Sequence, residues 1–356
     1  MARLVSADGE ALSPHSGEVR VMSAPEGFPY SGVTDGWFPL LPAAKLRNKP
    51  IAASLLGEAL VLARLEGMAC AFQDRCPHRL IPLSQGNICN NRLACRYHGW
   101  EFDATGRLRH TPGAAECGAR ATLQSYALQE RDGLIWGSLK PASAESLVGF
   151  SELPGYVWTQ AYRRIHCSLF HTIENFLDPC HTPYIHQGLL RSQGPQQMQI
   201  EQTVSADGFD THYKLTQKQN GWINRLFDPG VDQNVARFKL PGLVELDYLK
   251  NGRLLFRSAL YFVPHSAEVT GIFVRLYAPR SWMPAALRFA LFKPFAHMLY
   301  LQDKQILEQQ QLAQQTHGER YLFSHTDVAA RALWALLHGQ SPSPSALKEL
   351  NFQTTP

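Results

Sequence analysis

Residues 76–100 read CPHRLIPLSQGNICNNRLACRYHGW and hold two matched pairs, Cys76-x-His78 and Cys95-x-x-His98, with 16 residues between His78 and Cys95. Each pair offers one thiolate and one imidazole. Zinc sites of finger type group cysteines with cysteines and histidines with histidines, so the mixed order argues against zinc. It suits a two-iron, two-sulfide cluster with unlike irons, one held by two thiolates and the other by two imidazoles. Gly86 and Gly99 are expected to let the two ligand loops turn tightly.

Outward from this stretch, residues 36 to about 140 run as short apolar segments (GWFPLL, ALVLARL, ACAF, RLACRYHGWEF, GLIWGSL) broken by Gly, Asn, Asp and Pro. That is the pattern of short strands and tight turns, an all-β module. PASAESLVGFSELPGY, residues 141–156, reads as a linker. Beyond it a helix is expected within 165–182 around HTIENFLDPCH, strand-like alternation returns between 198 and 278, and a run without Gly or Pro from Phe295 to His317 predicts a long helix. The fold class expected is α+β in two domains: an N-terminal segment 1–35, an all-β domain 36–142, and a second domain 143–356 with an antiparallel sheet and a long C-terminal helix. The last stretch, GQSPSPSALKELNFQTTP, reads as a fraying polar tail.

Composition narrows the class. The 356 residues are 45% hydrophobic and 18% charged, with net charge +4, a globular balance that does not call for nucleic acid or an anionic membrane as partner. No apolar stretch reaches the ~20 residues needed to span a bilayer, and the start lacks the apolar core of a secretory signal, so a cytoplasmic location is expected. Seven cysteines are an odd number in a chain large enough to fold without staples. Cys70, Cys89, Cys117, Cys167 and Cys180 lack a partner at chelating spacing and are expected to be buried small hydrophobes.

A second constellation follows in ENFLDPCHTPYIHQG: Asn175, Asp178, His181 and His186, in the pattern Asn-x-x-Asp-x-x-His-x4-His. Two neutral imidazoles and a carboxylate, with coordination positions left open, make the ligand set of non-haem Fe(II) sites that take up both substrate and dioxygen. On an ideal helix His181 and His186 point about 140° apart. Pro183, between them, is expected to break or kink the helix and bring the second round. For Asp178 a turn or helix cap is the competing reading, since Asp before Pro is common in turns.

The first stretch, through CPHR, PL, G and YHGW and on into FDATGRL, resembles the Rieske iron-sulfur proteins, which implies that Cys76, His78, Cys95 and His98 hold a [2Fe-2S] cluster. Respiratory members carry a disulfide between two further loop cysteines; Ile81 and Tyr97 stand there, so the likeness is to the oxygenase and ferredoxin branch. Arg96 departs from the proline common in the family. The second stretch resembles the mononuclear iron motif of Rieske oxygenases, which implies that His181 and His186 bind iron and that Asp178 bridges to a cluster histidine of a neighbouring subunit, with Asn175 a lesser candidate. The resemblance also implies a third, carboxylate ligand in the last helix. Asp303 is the best candidate there, Asp327 the reserve, and Glu308 lies about 140° further round the helix.

The same resemblance implies a Rieske domain followed by a helix-grip catalytic domain, a ring-shaped homotrimer, and an NAD(P)H-dependent flavin and iron-sulfur reductase, in some members acting through a ferredoxin. The chain has no G-x-G-x-x-G fingerprint of its own. It looks closest to the single-component oxygenases of the pheophorbide and vanillate branch, which use O2 as co-substrate to hydroxylate, demethylate or oxidatively cyclise a small molecule. A cis-dihydroxylating dioxygenase and a non-catalytic electron-transfer or binding protein are the alternatives. Trp222, Phe227, Phe238, Leu243, Tyr248, Phe256, Tyr261 and Phe273 are candidates for an apolar pocket suited to an aromatic or alicyclic substrate, with core packing as the competing reading.

Overall fold

In the computed structural model, which describes residues 28–113, 121–140, 146–186, 196–215, 230–318 and 321–352, five hairpins turn on pairs of residues that both have positive φ. The pairs are Leu56-Gly57, Glu66-Gly67, Asn90-Asn91, Asp132-Gly133 and Asn251-Gly252. Such two-residue turns match the right-handed twist of paired strands, and Gly or Asn bears the left-handed backbone at least cost.

In the N-terminal half these turns help build two sheets. Strands β1 (Phe38–Pro42), β2 (Ile51–Leu55), β3 (Glu58–Leu65) and β4 (Met68–Gln73) are followed by a small group, β5 (Asn87–Cys89), β6 (Arg92–Ala94), β7 (Glu101–Phe102) and β8 (Leu108–His110). Then come β9 (Ser125–Arg131) and β10 (Leu134–Ser138). One antiparallel sheet has the order β1-β10-β9-β4-β3-β2, the other β5-β6-β7-β8. Val61, Phe72, Leu83, Leu93 and Phe102 form a core between them, and Cys76 and Cys95 belong to it.

The C-terminal half opens with β11 (Tyr156–Ile165), α1 (Leu169–Leu177) and a single helical turn α2 (Thr182–Ile185). It continues with β12 (Gln196–Val204), β13 (Gly208–Leu215), β14 (Gln233–Lys239), β15 (Leu243–Lys250), β16 (Arg253–Ser266) and β17 (Val269–Pro279). Helices α3 (Ala285–His317) and α4 (Ala330–Leu337) and strand β18 (Glu349–Phe352) complete it. The strands form one eight-stranded antiparallel sheet, β11-β17-β16-β15-β14-β13-β12-β18. The α+β expectation holds.

Strand alternation gives this sheet two faces with different duties. On one, Tyr213 of β13 reaches the Leu177 carbonyl of α1, Phe262 packs on Phe176, Phe256 on Phe292 of α3, and the Arg163 guanidinium lies 5.4 Å over the Tyr300 ring. On the other, Tyr261 donates to the Trp37 carbonyl and packs edge-on against Trp136, Phe150 and Phe38. The helices thus take one face and the N-terminal module the other.

Several local expectations change. The region expected to be one helix within 165–182 is β11 up to Ile165, then α1, which ends at Asp178. The long helix starts at Ala285, ten residues before the expected Phe295, and passes through Pro294. Pro294 is solvent-exposed, so water can serve the carbonyl that its missing N–H leaves open. The expected polar tail contributes β18: Leu350 is buried and pairs with Met198 across the edge of the sheet. In the segment read as a linker, Leu147 and Phe150 are buried core residues. Cys89, expected to be buried, is exposed beside the Asn90-Asn91 turn. Residues 1–27, Cys117, Trp222 and Phe227 lie outside the described residues.

Candidate metal centres

The two loops of the first stretch repeat one backbone design. The Cys76 N–H donates to the Ile81 carbonyl and the Leu80 N–H to the Cys76 carbonyl; in the second loop the Cys95 N–H donates to Trp100 and the Gly99 N–H to Cys95. The fourth residue after each cysteine has positive φ, 63° at Leu80 and 67° at Gly99. Gly99 turns its loop as expected. Gly86 does not: its φ is negative, and glycine is needed there because a Cβ would run into the Ala94 carbonyl of β6. The residue that matches Gly99 in the first loop is Leu80, which adopts the left-handed conformation with its side chain in solvent.

This design sets the four side chains side by side. Cys76 and Cys95 are buried and not disulfide-bonded. The His78 and His98 rings stand 4.6 Å apart between centroids, nearer the surface, and Trp100 stacks on His78 at 4.5 Å and 3°. Two thiols inside and two imidazoles outside form a donor set that can hold a two-iron cluster with its histidine-bound iron facing outward.

The second centre is gathered from remote segments. α1 stops at Asp178, whose carboxylate accepts the backbone N–H of Cys180 at 2.7 Å and of His181 at 3.0 Å. The break therefore falls before His181. Pro183 sits in the first turn of α2, where proline starts a helix, rather than breaking one as expected. His181 and His186 flank that turn with ring centroids 5.3 Å apart. α3 brings in Asp303 on a buried stripe with Leu307 and Gln311. The stripe is pinned where Gln311 accepts the Ser168 N–H at 2.8 Å and Glu308 accepts the His166 N–H at 3.2 Å. Glu308 thus points elsewhere, and Asp327 accepts the Ser324 N–H in a turn.

Ligand atoms of His181, His186 and Asp303 lie within 4.8 Å of one another. His186 Nδ1 is 2.9 Å from the Gln302 side-chain oxygen, an acceptor; in the neutral tautomer that donates to it from Nδ1, Nε2 presents a lone pair. That lone pair stands 3.1 Å from Asp303 Oδ1, which is buried and makes no hydrogen bond; His181 Nε2 is 3.8 Å from the same oxygen. Acceptors crowded in this way, away from water, fit a cation among them. Asp178 Oδ2 is also 3.5 Å from His181 Nδ1, so the aspartate both caps the turn and flanks the imidazole. Burial alone would raise the Asp178 carboxyl, but contact with His181 and the Cys180 N–H outweighs it and holds the pKa below the usual value.

Both halves match known domains. Residues 36–127 match the Rieske [2Fe-2S] domain and residues 165–339 the vanillate O-demethylase oxygenase C-terminal domain. The chain belongs to the Rieske oxygenases. Dicamba O-demethylase, oxygenase component, of Stenotrophomonas maltophilia is 31% identical over 49% of this chain and 54% of its own length. The vanillate O-demethylase oxygenase subunit of Pseudomonas sp. (strain HR199 / DSM 7063) is 27% identical over 49% and 50%. These matches span about half the length of those relatives. Dicamba monooxygenase bound to dicamba has the same fold, with TM-score 0.72 at 22% identity over 85% of this chain and 97% of that one.

A Rieske oxygenase carries a [2Fe-2S] cluster and uses non-haem iron and O2, and both donor sets described above fit those groups. Sequence reasoning missed Gln302, although its position next to Asp303 was a signal, and Glu174. Burial, reinforced by the charges of Asp178 and Asp327, pushes the Glu174 carboxyl up to about 8. Asn175 lies on α1 with its amide nitrogen buried and unpaired. Of the pocket candidates, Phe238, Tyr248 and Phe256 share the helix-side face, since Phe238 pairs with Val244 and Tyr248 with Phe256 in the register that puts Phe256 on α3. Tyr261 and Phe273 pair with each other on the opposite face, and Leu243 with them. These three pack toward the N-terminal module. On that same face a cavity of about 340 Å³ lies beside Ser151, Arg237 and Glu245, part of an ion-pair network in which Asp247 joins Arg237 and Arg257.

Proposed function

We propose that this Rieske oxygenase uses O2 and electrons from a separate reductase to monooxygenate an apolar aromatic or alicyclic small molecule, by hydroxylation, demethylation or oxidative cyclisation. The observation that carries this is the convergence of half-buried His181 with buried His186 and Asp303, on the helix-side face of a chain that also carries the paired cysteine and histidine loops. The demethylases named among its relatives support demethylation, and the "oxygenase component" in one name supports an NAD(P)H-dependent reductase, directly or through a ferredoxin.

In this reading Cys76, His78, Cys95 and His98 hold the cluster, and His181, His186 and Asp303 hold the mononuclear iron. When bound there, iron supplies one-electron redox chemistry and open positions for substrate and O2. The chain's residues do the rest. Gln302 holds the His186 proton on Nδ1 and so aims Nε2. Asp178 fixes the turn that presents His181 and offers a carboxylate to its other nitrogen. Burial of Asp303 keeps water from competing for its oxygen.

Asp178 is proposed to bridge between subunits of a homotrimer. Apolar side chains stand exposed at both ends of such a contact, Leu80 and Tyr97 beside the cluster loops and Tyr184 beside His181. Asn175 is proposed as an auxiliary residue of the same site.

The test is iron content and oxygen uptake. Reconstituted protein should hold about three irons per chain, give the paramagnetic signal of a histidine-ligated cluster after dithionite, and consume O2 with a surrogate reductase when substrate is present. His181→Ala should lose one iron and all turnover but keep the cluster signal. Two irons in the unaltered, iron-reconstituted chain would favour an electron carrier. Both atoms of 18O2 in the product would favour dihydroxylation.

A further inference from the structure

Only Asp303, Leu307 and Gln311 of the 33 residues of α3 are buried, and all three lie in its C-terminal half. The N-terminal half is nonetheless rich in apolar side chains. At 100° per residue, Leu287, Leu291, Pro294, Met298 and Leu301 fall within about 40° of one line, opposite Asp303 and Leu307. Leu287, Leu291 and Leu301 are each about half exposed, and Trp282, just before the helix, is 91% exposed. A stripe four turns long in solvent is more than the scattered apolar residues normal to a surface.

The charges beside the stripe have one sign. From Val269 to Gln302 the sequence contains no Asp or Glu. Exposed Lys293 falls on one flank of the stripe and exposed Arg280 lies two residues before Trp282, while Arg288, on the other flank, is half-buried and donates to the Pro279 carbonyl at 2.8 Å. A second copy of the same face would set these bases against each other with no acid in this segment to pair them. A leucine stripe with basic flanks and a tryptophan at its head suits a headgroup layer of negative charge. No described helix is long and apolar enough to cross a membrane, and this mode of binding needs none.

We propose that the N-terminal half of α3, together with Trp282, is a docking surface for an anionic lipid membrane. This adds a partner that overall composition did not suggest. Since α3 also carries Gln302 and Asp303, docking would set the helix of the metal centre against a phase that concentrates apolar small molecules.

Vesicle flotation of the cluster-loaded protein tests this. Vesicles of phosphatidylcholine mixed with phosphatidylglycerol should carry the protein upward, pure phosphatidylcholine should carry far less, and high salt should release it. Lys293→Gln should weaken binding about fivefold, the effect of about 1 kcal/mol per basic residue near such a surface. Leu287→Ser combined with Leu291→Ser and Met298→Ser should abolish it with an unchanged cluster absorption spectrum. If that triple variant folds poorly, Trp282→Ala, at a position with little packing to lose, should still reduce binding. The proposal is overturned if the mixed vesicles float no protein or if none of these variants alters binding. It is equally overturned if the triple variant changes the sedimentation of the lipid-free protein from oligomer to monomer, since a second copy would then be the occupant.

Discussion

The two candidate metal centres are assembled in opposite ways. The cluster loops lie within residues 76–100 and are shaped by their own backbone hydrogen bonds, so the site is written almost entirely in local sequence. The trio His181, His186 and Asp303 exists only because α3 is pinned along β11 and α1 by Tyr300, Glu308 and Gln311. A site made by turns should respond to backbone changes, and a site made by packing should respond to the side chains that aim it.

The sharpest way to break this contrast is at Asp303. Asp303→Asn should lower turnover on the order of a thousandfold or more while the dithionite-reduced cluster signal stays intact. Loss of both would mean that the two centres fold as one unit. Next, Gln302→Leu should free His186 to rotate and cost 10- to 100-fold in affinity for the mononuclear iron, the usual range for a partner that orients a ligand (~10–100-fold). Iron titration of the desalted protein reads this directly, and unchanged affinity would show that packing alone aims the imidazole.

On the cluster side the effects should be on stability. Gly99→Ala would force a Cβ to within 2.9 Å of Pro112 at a φ of 67°, for a loss of about 2 kcal/mol in thermal unfolding. Leu80→Gly, in the matching turn, should change stability by less than ~1 kcal/mol, because its side chain is exposed and strain relief offsets the added freedom of the unfolded chain. Equal effects at the two positions would contradict the matched-turn reading.

A last, similarly small effect on stability is expected at Asp103, between β7 and β8. Burial would raise this carboxyl, but bonds from Thr105, Arg109 and the Arg107 N–H hold it at about 2, below the model-peptide value of 3.8. A depressed folded pKa contributes stability that is full above the unfolded value and fades as pH falls toward 2. After discounting for solvent screening that contribution is about 1 kcal/mol. Asp103→Asn should remove this slope from unfolding midpoints measured between pH 5 and pH 2 (roughly the window of such a carboxylate).

The sequence was most readable where chemistry is local. Paired cysteines and histidines, hairpin turns such as Asp132-Gly133 and Asn251-Gly252, and alternating strands all declare themselves within a few residues. Asp303 could be named only by likeness to a family, because nothing in LYLQDKQILEQQ distinguishes a buried carboxylate from a solvated one until α3 meets β11. Pro183 and Pro294 misled in complementary ways: one begins a helical turn where a break was expected, and the other lies inside a helix that was expected to start after it. Both are questions of whether a missing N–H matters, which depends on position within the helix and on water. Tyr261 and Phe273 are apolar and on the right sheet, but which side they serve depends on register, invisible without the neighbouring strands.

That register carries a liability. Along β16, Phe256, Leu260 and Phe262 look toward the helices while Arg257, Ala259 and Tyr261 look toward the N-terminal module. Inserting or deleting a single residue ahead of Arg257 would exchange the two sets beyond that point, handing the side of the candidate metal centre a tyrosine and an arginine meant for the other and stripping both contacts together. Length, more than side-chain identity, is what this strand can least afford to vary.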